Sequence, residues 1–208
     1  MNDDTGQRHR KKARTRQAIA DVATRLFVAR GFEQVSVEAI AQAAQVSRKT
    51  VFNHFARKED LMFDREAECV DLLRQALADR GAQAPVPALQ ALARTALETR
   101  HPLFRVTRRT AAFWRAVAAS PALSARAREL QVTLAEQLAD LLATAAGHAR
   151  TDAPARLAAT LLVSTLVVAY GAALDAFRAR RDAAAAFAGV MARGFAGVDA
   201  ALAGTAYV

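Results

Sequence analysis

Arg48, Lys49, Thr50, Asn53 and His54 put five hydrogen-bond donors within about two helical turns of sequence. On a helix, neighbours three and four apart share a face, so these side chains gather on one outer side. Guanidinium and ammonium groups pair with phosphates, and Arg, Lys, Thr and Asn also match donor and acceptor patterns on base edges in the major groove. The chemistry is recognition of double-stranded DNA, not bond making. Residues 48, 49, 50 and 53 are the candidates for base readout.

Such a helix needs a floor and a fixed entry. Val46, Val51 and Phe55 supply the apolar side of this run, and Val37, Ile40, Ala41 and Ala44 recur at helical spacing just before it. Two short helices joined by a tight turn follow. Ser36 and Ser47 each precede one of them, where a hydroxyl accepts a hydrogen bond from a first-turn amide. Ahead of the pair, Ile19, Val22, Ala23, Leu26 and Phe27 give an amphipathic helix over 15–30. Gly31 is placed to stop it.

Here the sequence resembles the TetR family of bacterial transcriptional regulators. The resemblance is carried by Gly31-Phe32, Val35-Ser36-Val37, Ile40-Ala41, Ala44-Gln45-Val46-Ser47, Thr50-Val51-Phe52-Asn53-His54-Phe55 and Lys58-Glu59-Asp60-Leu61. It implies that Ser36, Val37, Ser47, Arg48, Lys49, Thr50, Phe52, Asn53, His54 and Lys58 form the DNA-binding set, with His54 and Lys58 on phosphates. Two positions depart from the family pattern. Gln45 stands in the turn where the family usually has Gly, which implies a strained or altered turn. Phe52 stands where Tyr is usual, which removes a hydroxyl that in the family touches a phosphate.

The net charge of +9 over 208 residues suits a polyanionic partner. Residues 1–62 carry 12 Lys and Arg against 7 Asp and Glu, and six of those basic residues lie between Arg8 and Arg16. This reads as a basic N-terminal arm, disordered to about residue 12, that either adds phosphate contacts or is a solvated tail. Hydrophobic residues at 53% are enough for a sizeable core, and few Gly and Pro with many Ala favour helix throughout.

The fold expected is all-α: a three-helix helix-turn-helix DNA-binding domain over 1–57 and a helical ligand-binding and dimerisation domain over 58–208. A helix over 58–80 would connect them, with a linker at 81–87. Further helices are expected over 86–100, 102–119, 121–146, 154–180 and 182–203, with Ser120-Pro121 and Thr151-Asp152-Ala153-Pro154 as helix starts.

In the second domain, Phe104, Arg105, Arg108, Phe113, Trp114, Thr165 and Tyr170 are candidates to line a cavity for a small apolar or amphipathic ligand. His101, Arg105 and Arg108 would share a helical face there. The stretch from Phe113 to Leu130 resembles the middle of TetR-type regulators thought to answer to acyl-thioesters. Small apolar residues on the last two helices suggest close packing, and Gly171, Leu174, Phe187, Val190, Met191, Gly194, Phe195 and Val198 are expected at a homodimer interface. An alternative role for this bundle is binding a protein partner with no small ligand.

The four histidines His9, His54, His101 and His148 have no metal-ligand spacing, and there is no nucleophile motif and no phosphate-cradling glycine loop. Neither catalysis nor a cofactor is expected. The single Cys69 allows no internal disulfide, and the polar start MNDDTGQRHRKK has no apolar signal core, so a cytoplasmic location is expected. The stretch 157–174 is uncharged for 18 residues, yet polar Ser164, Thr165 and Tyr170 mark it as a buried helix rather than a membrane span.

Overall fold

The computed structural model describes residues 3–208, with side chains at Gln7 and from Lys11 onward. The described residues are helical with no strand. The helices are α1 Asp3–Arg30, α2 Val37–Ala43, α3 Arg48–His54, α4 Glu66–Ala78, α5 Pro85–Glu98, α6 Arg108–Ala119, α7 Pro121–Ala146, α8 Ala153–Arg178 and α9 Ala183–Ala201. Short 3-10 turns lie at Glu59–Leu61 and Pro102–Phe104.

Two compact units emerge, and the first is discontinuous. It comprises Met1–Arg65 together with Ala112–Arg128, and the second comprises Glu66–Ala111 with Glu129–Val208. A single cut at 57/58 therefore differs from the observed division, because residues 112–128 are spent on the first unit. Val117 and Leu123 are buried there beside Ile19, Phe27, Ile40, Val51, Phe55 and Leu61. Polar contacts tie the same segment down: Ser120 Oγ donates to Glu33 Oε1 at 2.9 Å, and Arg126 Nε lies 2.9 Å from Asp60 Oδ1.

Several helix starts follow from local chemistry. Ser36 and Ser47 cap α2 and α3 by accepting from the Ala39 and Thr50 amides at 3.1 and 3.0 Å. Ser120 accepts from the Leu123 amide, and Asp152 and Asp182 cap α8 and α9 from the Ala155 and Ala185 amides. Each replaces an amide partner that a helix cannot supply to its own first turn.

Three boundaries depart from the sequence reading. The first helix starts at Asp3, not near residue 15, so the basic run continues a helix; the side chains of residues 8–10 lie outside the described set. The helix expected from Lys58 is interrupted after Leu61 and resumes at Glu66. Phe63 turns edge-on to Phe113 with ring centres 5.9 Å apart, and Asp64 is drawn to Arg16, so side-chain contacts hold this break. Likewise the helix expected from residue 102 begins at Arg108, where Thr107 Oγ1 accepts from the Thr110 amide at 3.1 Å, after Arg105 has left the Pro102–Phe104 turn in extended backbone. His101, Arg105 and Arg108 consequently share no helical face.

The second unit is built on the pairing of α8 with α9. Its core holds Leu89, Leu138, Leu142, Ala159, Val163, Phe187, Met191, Phe195 and Val198. A Cβ added to Gly194 would lie 2.1 Å from Thr165 Cγ2 and 2.8 Å from Thr165 Cβ, so α8 and α9 meet closely within one chain. The C-terminal end closes the unit. The Val86 amide donates to the Tyr207 carbonyl at 2.9 Å, and the buried Tyr207 hydroxyl donates to Asp152 Oδ2 at 2.7 Å. Burial and that carboxylate push the Tyr207 phenol well above its ordinary range. α8 is long and apolar enough to cross a membrane, but its inner residues from Ala155 to Ala176 are core of this unit.

Candidate nucleic-acid interface

The inner side of α3 is fixed by the core beneath it. Val51 is 1% exposed and Phe55 2%, and both sit in the first unit's core. Because the helix spans only Arg48–His54, locking these residues sets the direction of the rest. Arg48, Lys49 and Asn53 are exposed, as is Phe52 at 44%. A large apolar ring left in water beside three polar donors is a surface shaped for contact.

The turn before α3 bears the expected strain. Gln45 adopts φ +55°, the left-handed region where a side chain crowds its own backbone. It holds the corner between α2 and α3, and the Val46 amide beyond it returns to the Ala41 carbonyl at 2.9 Å. Ser47 and Thr50 are joined hydroxyl to hydroxyl at 2.8 Å, so Thr50 is committed to the helix start while Lys49 stands exposed. Val37 is half-buried against the core and supports the turn.

Two expected phosphate contacts have internal duties. Lys58 Nζ donates to the Phe32 carbonyl at 2.7 Å and lies 4.1 Å from the centre of the Phe32 ring, leaving two of its three donors. His54 is half-buried, and its Nδ1 is buried with no hydrogen-bond partner. Burial, then the charges of Lys12 and Arg16, push the imidazole below its ordinary value of 6.5, while Asp64 pulls the other way. His54 is therefore neutral at neutral pH.

Arg16 and Glu38 escaped the sequence reading. Arg16 donates to the His54 carbonyl, lies 4.1 Å from the centre of the Phe55 ring and pairs with Asp64, so it fastens the end of α3 to α1. Glu38 Oε1 lies 2.9 Å from Arg48 Nη1. A lone Arg inside a basic run carries no signal of such a duty; a carboxylate ten residues before Arg48 becomes visible only once the turn brings α2 back to α3.

Within this geometry, residues 19–64 match the family model for bacterial regulatory proteins of the tetR family. Over this segment the chain is similar to tetR-family regulators. Over 56 residues it is 46% identical to the HTH-type transcriptional regulator TcmR of Streptomyces glaucescens, covering 27% of this chain and 25% of that regulator. The matched segment thus spans about a quarter of that relative's length. Two solved structures share the fold across most of the chain. NalD, the secondary repressor of the MexAB-OprM multidrug efflux pump in Pseudomonas aeruginosa, is 20% identical with a TM-score of 0.58, covering 89% of this chain and 97% of its own. SmeT in complex with triclosan is 18% identical with a TM-score of 0.59, covering 88% and 90%.

The candidate ligand and dimer residues of this chain do not form the groups expected of them. Phe113 and Trp114 lie in the first unit and pack on its core, so they are removed from the ligand set, and the stretch that suggested an acyl-thioester builds that unit instead. Arg105 and Arg108 are exposed, and Thr165 is held against Gly194. Phe104 and Tyr170 do come together: both stand edge-on to Phe187, at 5.9 and 5.3 Å. Phe187, Met191, Phe195, Val198 and Leu174 are already buried within one chain, so these five cannot supply the apolar area of a dimer interface, and Gly194 faces its own α8. Gly171 remains exposed and Val190 half-buried. The outward stripe of α8 is a different set: Leu157, Val167 and Val168 are 46%, 40% and 60% exposed.

Proposed function

We propose that this chain is a DNA-binding transcriptional regulator, a cytoplasmic repressor that sits on a palindromic operator as a homodimer and is released by a small apolar or amphipathic ligand held in the second unit. The observation that carries the DNA reading is the two-sided α3: Val51 and Phe55 buried beneath it, with Arg48, Lys49, Phe52 and Asn53 open to a groove. N-terminal residues of a recognition helix are the ones that reach base edges, which agrees with the position of Arg48 and Lys49. Exposed Lys11, Lys12 and Arg14 on α1 add positive charge along the flank.

Three further observations support the finer parts. Leu157, Leu161, Val168 and Gly171 follow one another along α8 at steps of four, seven and three, a seam suited to a second copy of the same helix. Half-buried Phe104 and Tyr170, each edge-on to the buried Phe187, make a wall against which an apolar ligand can pack. A protein of the same fold is known in complex with triclosan. Release would act by linkage: the ligand lowers DNA affinity only as far as it prefers the arrangement that spaces two recognition helices wrongly.

Selection from a random duplex library tests this. Enrichment of a two-fold symmetric sequence, bound by a species of twice the chain's 22.3 kDa in sedimentation, is the expected result. Retention of no duplex above a polyanion control would overturn the reading.

A further inference from the structure

Arg48, the first residue of α3, is held from two sides. Its Nη1 lies 2.9 Å from Glu38 Oε1 in the first turn of α2, and its guanidinium carbon lies 5.4 Å from the centre of the Phe52 ring. All three side chains are exposed, at 63% for Arg48, 58% for Glu38 and 44% for Phe52. Exposed ion pairs contribute little to folding stability. What this one does is choose a direction for a long side chain that water would otherwise leave free.

The pairing also changes what Arg48 is suited to bind. A carboxylate alongside the guanidinium offsets its charge and repels a third negative group, so Arg48 is a poor phosphate contact. Glu38 occupies one Nη1 hydrogen and leaves the Nε and Nη2 edge open, two parallel donors whose spacing fits the O6 and N7 acceptors of guanine. A base edge carries no net charge, so Glu38 does not repel it. Phe52 completes the arrangement. Its ring supports the guanidinium plane, and it lacks the hydroxyl with which a tyrosine would reach for the backbone.

We propose that Arg48 reads a guanine in the operator through a bidentate contact, and that Glu38 and Phe52 are positioning residues that set its guanidinium for that base. The proposal rests on the DNA-binding reading above and gives it a base and a residue.

The test starts from the duplex that the wild-type protein selects from a random library. Each guanine is replaced in turn by 7-deazaguanine, which lacks the N7 acceptor, and affinities are measured for the wild type and for Arg48→Ala, Glu38→Gln and Phe52→Leu. At one guanine the wild type should lose about 10-fold or more, the range of a good bidentate contact. Arg48→Ala should bind natural and substituted duplexes alike. Glu38→Gln and Phe52→Leu should narrow the discrimination several-fold, and Glu38→Gln should bind a scrambled duplex as well as the wild type or better, having lost a negative charge. Thermal melting of each variant checks that the fold is kept.

Equal losses for Arg48→Ala on selected and scrambled duplexes would make it a phosphate contact and end the proposal. Undiminished guanine discrimination in both Glu38→Gln and Phe52→Leu would remove their positioning role. A selected duplex insensitive to 7-deazaguanine at every position would overturn this inference alone, whereas failure to select any duplex would take the DNA-binding reading down with it.

Discussion

Arg16 Nε lies 2.7 Å from Asp64 Oδ1, and the Asp64 side chain is only 9% exposed. This pair joins α1 to the segment that interrupts the helix expected after α3, while the same Arg16 also holds the His54 carbonyl. Arg16→Ala would strand a nearly buried carboxylate. With Arg16 itself 41% exposed, the loss should be moderated by solvent, about 1–2 kcal/mol of unfolding free energy. Chemical denaturation measures it, and an unchanged midpoint would mean that Asp64 finds another partner.

Gln45→Gly should stabilise the chain. A non-glycine residue at φ +55° meets a steric penalty that glycine escapes, partly offset by glycine's greater freedom when unfolded. The net gain should be about 0.5–1 kcal/mol, and Gln45 is exposed, so no packing is lost. A decrease in stability would show that the Gln45 side chain contributes something at the corner.

His54 should make the first unit acid-sensitive. Protonation is harder in the folded chain, where burial, Lys12 and Arg16 oppose the charge, than in the unfolded chain at about 6.5. The stability associated with neutral His54 is therefore complete above the unfolded value and is lost as pH falls through the lower folded value. Denaturation midpoints taken at about pH 7.5 and about pH 5.5 should differ less in His54→Gln than in the wild type. The same acid loss in both would assign it to other groups.

Gly194→Ala should loosen α8 from α9 at a cost of about 1–3 kcal/mol, the usual range for overpacking. Thr165→Ala should recover only part of it, because the Thr165 Cβ itself lies 2.8 Å from where the new methyl would sit. Full recovery would place the strain on the flexible Thr165 tips alone. Sedimentation of the same variant should show an unchanged assembly state, since this crossing lies inside one chain.

What could be read from sequence was local. Ser36, Ser47, Ser120, Asp152 and Asp182 cap helices within three residues of themselves, and a hydroxyl or carboxylate before an apolar periodic run announces that duty. The outer face of α3 was legible for the same reason. Phe113 misled because its partner, Phe63, is fifty residues away, and nothing in the spacing says which core an aromatic residue will join. In α9, Ala and Gly surround the helix on every side. Its buried Phe187, Met191, Phe195 and Val198 were visible as a stripe, but the pattern did not say whether that stripe faced its own chain or a second copy.

The discontinuity of the first unit also bears on how the chain comes off the ribosome. Val117, Leu123 and the Arg126 partner of Asp60 belong to a core begun by Ile19 and Phe27, so residues 1–65 emerge before the segment that completes it. At about 5–20 residues per second, the intervening stretch takes roughly 3–13 s to synthesise. During that interval α1 to α3 have an open apolar flank with no partner from their own chain. Folding of this unit is a late event that waits on distant sequence, and the nascent helix-turn-helix is the stage most exposed to chaperones and to aggregation.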